Sequence, residues 1–225
     1  LQYEPDVLIA LEKVTFGYQR RPDVLCDCSL TLRAGERIGI SGPIGAGKTT
    51  LLWLIVGLLR PTQGRIFAFG RYRQREADFA EVRRRAGLLF QDPDDQLFCP
   101  TVIEDVTFGP LNLGKSRKEA IQTARQILEK LGLHSFESRI TYHLSGGEKR
   151  LVALASVLAM QPDVLLLDEP TSGLDPQAAD RVLRVLQSLP QAMIVVSHDW
   201  VILDLLCTGQ LRLEEGQLRP WPRNC

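Results

Sequence analysis

Neither sign of charge is in excess in these 225 residues: Lys plus Arg and Asp plus Glu each number 27. A domain built to hold nucleic acid or an anionic membrane surface carries a basic surplus, so the balance argues against a nucleic-acid partner. Long apolar runs are missing too. The longest, residues 51–59 and 151–160, reach about half of the ~20 residues that a spanning helix needs, so the chain is read as not crossing a membrane by itself. The first dozen residues lack a basic stretch and a small-residue cleavage site, and are read as carrying no secretion signal. Cysteine is scarce and odd in number. Cys26, Cys28, Cys99, Cys207 and Cys225 contain no C-x-x-C pair and no second cluster at zinc-binding spacing. They are expected to be free, mostly buried thiols in a reducing cytoplasm, with Cys26 and Cys28 on one strand face beside Leu30 and Leu32. Disorder is excluded by 44% hydrophobic against 24% charged residues. At roughly 150 residues per domain the length gives one domain, large enough to bury its core without disulfides or structural metal.

What is present is an alternation of strand-like and helix-like segments. Residues 7–16, 25–32, 65–69 and 86–90 read as strands, as does Arg37-Ile38-Gly39-Ile40-Ser41. A helix is expected from about 48 to 59, stopped by Pro61. Ser116-x-x-Glu119 and Ser145-x-x-Glu148 are capping boxes, and Gly132 ends the helix that the first one opens. Buried strands at 164–167 and 193–196 flank an amphipathic helix at about 177–189, and 210–218 reads as a small hairpin. Continuous apolar strands alternating with helices predict a parallel sheet covered on both faces. Residues 71–85, with six Arg against three acids, read as solvated helix and loop surface.

Three stretches carry chemistry. Gly42-Pro43-Ile44-Gly45-Ala46-Gly47-Lys48-Thr49 fits G-x-x-x-x-G-K-[ST] between a strand and a helix. Its glycines let backbone N–H groups turn inward onto a β-phosphate at the positive end of the helix. Lys48 bridges the β- and γ-phosphates in this reading, and the Thr49 hydroxyl ligates Mg²⁺. Val164-Leu165-Leu166-Leu167-Asp168-Glu169 is an apolar strand that ends on two carboxylates at the sheet edge where ligands bind. Asp168 is the expected Mg²⁺ partner, and Glu169 the general base that polarises the attacking water. Leu144-Ser145-Gly146-Gly147-Glu148 opens a capped helix and forms a second anion site, which is read as addressing the γ-phosphate held by another copy.

With these stretches in this order, the sequence resembles the nucleotide-binding domain of an ATP-binding cassette (ABC) ATPase from about residue 7 to 218. The resemblance implies an α/β P-loop NTPase fold: a RecA-like core with a mostly parallel sheet, an N-terminal antiparallel β subdomain and an inserted α-helical subdomain. In that division the core takes about 1–91 and 161–225, and the helical part about 92–160. It implies Tyr18 as the aromatic on adenine, residues 42–49 with Thr50 as Walker A, and Gln91 as a Mg²⁺ contact coupled to the partner. It further implies Ser145, Gly146 and Gly147 as the signature, Ser172-Gly173-Leu174-Asp175 as the D-loop, and His198 as the switch histidine that holds Glu169 and the water. His134 and His143 are read as ordinary surface histidines. Two positions depart from the family pattern: Ile44 replaces a polar residue of Walker A, and Glu148 replaces the commoner Gln of the signature.

A finer resemblance lies in Phe90-Gln91-Asp92-Pro93-Asp94-Asp95-Gln96-Leu97-Phe98, in the stretch 101–110, and in Lys149-Arg150-Leu151-Val152-Ala153-Leu154-Ala155. These resemble the ATPase subunits of energy-coupling factor importers for cobalt, nickel or vitamins such as biotin. The resemblance implies ATP and Mg²⁺ as cofactors and a second ATPase subunit, identical or paralogous. It also implies an integral membrane coupling protein, a separate substrate-capture membrane protein, and a peripheral position on the cytoplasmic face of the membrane. Asp92, Asp94 and Asp95 are read as an acidic cluster suited to Arg side chains of that partner. The alternative within transport is the ATPase of a conventional permease or exporter. Soluble ABC ATPases of translation or repair fit less well. One cassette is present, and only 97 residues separate Lys48 from Ser145, with no sustained heptads.

Overall fold

Alternating burial along the first thirty residues makes a hairpin: β1 (Val7–Tyr18) pairs antiparallel with β2 (Arg21–Arg33) in the computed structural model, which describes residues 3–221. Ile9 faces Leu32, Leu11 faces Leu30 and Val14 faces Cys28, so one face of the pair is apolar. β4 (Gln63–Ala68) and β5 (Arg71–Arg73) extend this sheet in the order β2-β1-β4-β5. The chain divides into two compact units. The first takes the residues up to Ala86, Asp163–Asp168 and those from Pro190 onward; the second takes Gly87–Pro162 and Glu169–Leu189.

The first unit also holds a parallel sheet. β3 (Arg37–Ser41) lies between β8 (Ala192–Val196) and β9 (Gly209–Glu214), and β7 (Val164–Asp168) lies beyond β8. Every residue of β7 and β8 is buried, the pattern of strands covered on both faces. The hairpin at the chain end is real, formed by β9 with β10 (Gln217–Pro220). Its parallel pairing to β3 could not be read from local pattern. α1 (Lys48–Ile55) follows β3, α2 (Glu76–Arg85) follows β5, and α7 (Trp200–Leu206) follows β8.

β6 (Ala86–Leu89) leads into the second unit, which is mainly helical: α3 (Val102–Asn112), α4 (Arg117–Lys130), α5 (Gly146–Ala159) and α6 (Pro176–Ser188). A Cβ on Gly109 of α3 would lie 2.6 Å from the Met160 side chain at the end of α5, so the small residue sets a close approach. This unit includes Glu169–Leu189, which the division at 92–160 leaves in the core.

Several expectations need correction. α1 stops at Ile55, not at 59, because Gly57 takes φ 74° and the Leu58 N–H turns back to the Trp53 carbonyl at 2.9 Å; Pro61 is not what ends it. α3 was not anticipated, although Thr101 and Glu104 form its capping box. The stretch 71–85 is not simply solvated surface. The Arg73 side chain is fully buried, donating to the Ala68 carbonyl at 2.7 and 2.9 Å, the Asp78 carbonyl at 2.9 Å and Glu81 at 2.8 Å. Among the thiols, Cys28 and Cys207 are buried but Cys26 and Cys99 only partly so, and Cys225 lies outside the described residues. Burial pushes Cys28 and Cys99 up to about 11, so neither is a ready thiolate at neutral pH.

Arg73 gives the first prediction. Arg73→Ala strips the donors from two carbonyls inside the fold, which costs about 3 kcal/mol. For a chain of this size that lowers Tm by about 10 °C in a thermal melt. Arg73 is also the main reason that the Glu81 carboxyl sits below its usual range. A depressed carboxyl stabilises the fold above its unfolded pKa, and that contribution is lost as pH falls through its folded value. The variant is therefore expected to show a shallower acid loss of stability than the parent.

Candidate active site

In the first unit, β3 ends at Ser41 and α1 begins at Lys48, and the residues between them form a tight loop. Two glycines are indispensable to it. Gly42 has φ 149°, and a Cβ there would stand 2.3 Å from the Leu213 carbonyl oxygen; Gly47 has φ 101° and its Cβ would stand 2.8 Å from Val24. The loop closes on itself through the Ala46 N–H to the Pro43 carbonyl at 3.1 Å. The Lys48 ammonium bridges its mouth, donating to the Gly42 carbonyl at 2.8 Å and the Pro43 carbonyl at 2.9 Å. Ile44 is wholly exposed at the crown, so this departure from the family pattern perturbs no packing in the loop.

The Thr49 hydroxyl donates to Asp168 Oδ2 at 2.5 Å. This joins the start of α1 to the end of β7, with Asp168 only 2% exposed. One hydroxyl and one carboxylate converging here suit a magnesium ion, which prefers few protein oxygens and takes the rest from phosphate and water. No group of three His, Cys, Asp or Glu among the described residues offers an all-protein metal cage instead. Tyr18 stands at the same place: its hydroxyl shares a 3.1 Å hydrogen bond with Thr50 of α1. Its ring packs edge-on to Phe16 at 5.0 Å and keeps 40% of its surface exposed. His198 follows β8, exposed, immediately before the Asp199 side chain caps α7.

The second unit carries the remaining candidates. Ser145 caps α5, and the box is closed: Glu148 accepts from the Ser145 N–H at 2.8 Å and from its hydroxyl at 2.9 Å. These contacts, the backbone N–H foremost, hold the Glu148 carboxyl below its usual range. A Cβ on Gly147 would lie 3.2 Å from the Gly173 carbonyl, so the signature and the segment 172–175 touch. Together they line a cleft of about 800 Å³ with Asp92, Asp94 and Asp175. Asp175 is engaged as the cap of α6, accepting from the Gln177 and Ala178 N–H groups. Asp94 is paired with Lys149 at 2.5 Å, so the acidic cluster beside Gln91 is less available to a partner than its sequence implies. Glu169 is buried and has φ 51°, a left-handed backbone that a non-glycine residue adopts only at a cost of about 1–3 kcal/mol.

The structure thus gathers Tyr18, Thr50, the 42–49 loop and Asp168 in the first unit, and Ser145, Gly146, Gly147 and Asp175 in the second. Gln91 is exposed on a loop that Arg150 of α5 holds in place. The Arg150 guanidinium is buried and donates to the Phe90 carbonyl at 2.8 Å and to the Gln91 carbonyl. Sequence reasoning missed this Arg. Its one signal was a cation on the otherwise apolar face of a helix.

The sequence profile of the ABC transporter family matches residues 25–172. A Brucella suis protein described as an ABC transporter ATP-binding protein is 54% identical over 213 residues, 95% of this chain and 88% of that protein. The energy-coupling factor transporter ATP-binding protein EcfA of Methanothermobacter thermautotrophicus is 40% identical over 215 residues, 94% of this chain and 69% of the relative. Among solved structures, CbiO1 of Clostridium perfringens, part of the ABC transporter complex CbiONQ, superposes with a TM-score of 0.82 at 32% identity, covering 95% of this chain and 87% of that one. A dimeric ATP-binding cassette in a post-hydrolysis state with ADP and Pi superposes at 0.88 with 26% identity, covering 97% of this chain and all of the other.

Proposed function

This chain belongs to the ABC transporter family of ATPases, and from that premise we propose that it is the ATP-binding subunit of an energy-coupling factor importer for a transition-metal cation or a vitamin. The observation that carries the subtype is an exposed aromatic pair on the helical unit. Phe98, 66% exposed, packs edge-on to Phe108 at 4.7 Å, with Leu111 also exposed. Phe98 ends the same loop that begins at Gln91. Large apolar side chains left in water beside that loop suit a docking helix of a membrane coupling protein. The likeness to EcfA and CbiO1 supports the same reading. No helix among the described residues is long and apolar enough to cross a membrane; the peripheral place on the cytoplasmic face is part of the proposal and rests on the membrane partner.

In the proposed cycle two copies, or this chain and a paralogue, meet head to tail. Each ATP sits on the 42–49 loop of one copy, its base on Tyr18 and its γ-phosphate facing Ser145, Gly146 and Gly147 of the other. Lys48 balances the β- and γ-phosphate charge. Thr49 and Asp168 would hold a magnesium ion, with Gln91 assigned to it by the family resemblance, and the ion would supply further charge neutralisation. Glu169 accepts a proton from water as the water oxygen bonds to the γ-phosphorus and the bond to the ADP oxygen breaks, and His198 holds that water and Glu169 in place. Asp175 is assigned to the contact between copies. Shifting closure from 1:99 to 99:1 takes about 5.5 kcal/mol of differential binding, about half from each nucleotide.

The test is to purify the chain from detergent-solubilised native membranes and identify what travels with it by mass spectrometry. A small membrane coupling protein together with a compact capture protein is the expected result, and the capture protein names the substrate class. A conventional permease or an exporter in their place would overturn the subtype while leaving the ATPase intact.

A further inference from the structure

A phosphate cannot readily approach a cleft lined by several uncompensated carboxylates, and the cleft at the start of α5 has four. Asp94 is neutralised by Lys149, while Asp92 and Asp175 are turned onto backbone N–H groups. The fourth, Glu148, stands at the start of the helix itself. Its Oε2 accepts from Ser145, and its Oε1 accepts from Arg139 Nη1 at 2.8 Å. Arg139 comes from the segment before α5 and does not line the cleft. Its guanidinium lies 3.8 Å over the Phe136 ring, so the ring orients one face while the carboxylate takes one edge.

We propose that Arg139 is a positioning residue of this ATPase: it neutralises Glu148 and keeps that carboxylate folded back on Ser145, so that the start of α5 can receive an anion despite a carboxylate at its third position. This rests on the reading of Ser145, Gly146 and Gly147 as the contact for the γ-phosphate of a second copy. The capping geometry alone does not require Arg139. Glu148 holds the Ser145 N–H without it, and a Gln at 148 would hold the same N–H through its amide oxygen. What Arg139 adds is charge compensation, and that makes its effect separable from a structural one.

The experiment measures the ATP concentration for half-maximal dimer formation by sedimentation, with the full chain in a Glu169→Gln background. Arg139→Ala is expected to raise it at least about fivefold. Adding Glu148→Gln to Arg139→Ala is expected to return it to the level of Glu148→Gln alone, and Arg139→Lys to lie between. Should Arg139→Ala change nothing, or should the weakening persist undiminished in the double variant, the proposal is overturned. Thermal melts accompany each variant, and Arg139→Lys with its own double variant carries the test if Arg139→Ala does not fold. Ser145→Arg separates the two levels of the argument. If it blocks dimerisation while Arg139→Ala is silent, only the role of Arg139 fails. If it leaves the ATP dependence unchanged, the reading of the helix start fails, and the role of Arg139 with it.

Discussion

Replacing Glu169 with Gln is expected to leave ATP binding in place, lower the hydrolysis rate by about 10²–10⁴-fold, and accumulate an ATP-dependent dimer. The size of the rate effect is that of a general base removed from a step that cannot borrow another. Geometry as well as chemistry marks the residue. Glu169 closes an apolar strand directly after Asp168, is buried, and holds φ 51°. A fold keeps a strained non-glycine residue only where its surroundings over-determine it, and such residues concentrate at functional positions. Gln preserves the size, the hydrogen-bonding reach and the backbone demand, so the substitution changes proton affinity and little else. Single-turnover kinetics and sedimentation with ATP check the two halves of the expectation. Normal turnover would remove Glu169 from the role of base. Loss of nucleotide binding together with turnover would move it to a binding role.

Lys48→Ala is expected to fail one step earlier, at nucleotide binding. In the structure its ammonium already lies across the mouth of the loop, within 2.9 Å of both the Gly42 and Pro43 carbonyls. In the proposed binding mode a charge fixed there would meet the β- and γ-phosphates through charge-assisted hydrogen bonds. Its removal costs about 3–4 kcal/mol of ATP affinity, a factor of several hundred. Arg is a poor replacement, because a planar fork does not reproduce a compact ammonium that sits between two carbonyls. Fluorescent-nucleotide titration checks the affinity, and a thermal melt without nucleotide checks that the fold is intact. ATP affinity equal to that of the parent would refute the assignment. The two variants also control each other, since one is expected to bind without turnover and the other not to bind.

How far the molecule can be read from its sequence depends on how local the physics is. The phosphate loop was legible because its requirements are contiguous: glycines where only a Cβ-free backbone fits, then a cation and a hydroxyl at the first turn of a helix. The apolar strand ending on Asp168 and Glu169 was legible for the same reason, as were the capping boxes at Ser116 and Ser145. α3 carries an equally local signal in Thr101 and Glu104, but Gly109 and Pro110 break the helical pattern of the residues that follow. α1 ends ahead of Pro61 because Gly57 supplies the left-handed turn.

What could be read locally was the proposed chemistry: Lys48 and Thr49 at the phosphate-loop motif, two acids at the end of an apolar strand, and a capped helix start at Ser145. Which distant groups meet depends on how the strands and helices pack. Thr49 finds Asp168 across 119 residues, and Tyr18 finds Thr50 across 32. Arg73 turned from presumed surface charge into a buried tie because β5 adds to the edge of the first sheet. Arg150 reaches the Gln91 loop from 59 residues away, and Arg139, though still exposed to water, pairs with Glu148. The reason is physical. A turn, a cap or a strand end is fixed by φ/ψ preferences and neighbours a few residues apart, whereas the partner of a buried charge is fixed by whichever chain segments the sheets and helices bring within about 3 Å of it.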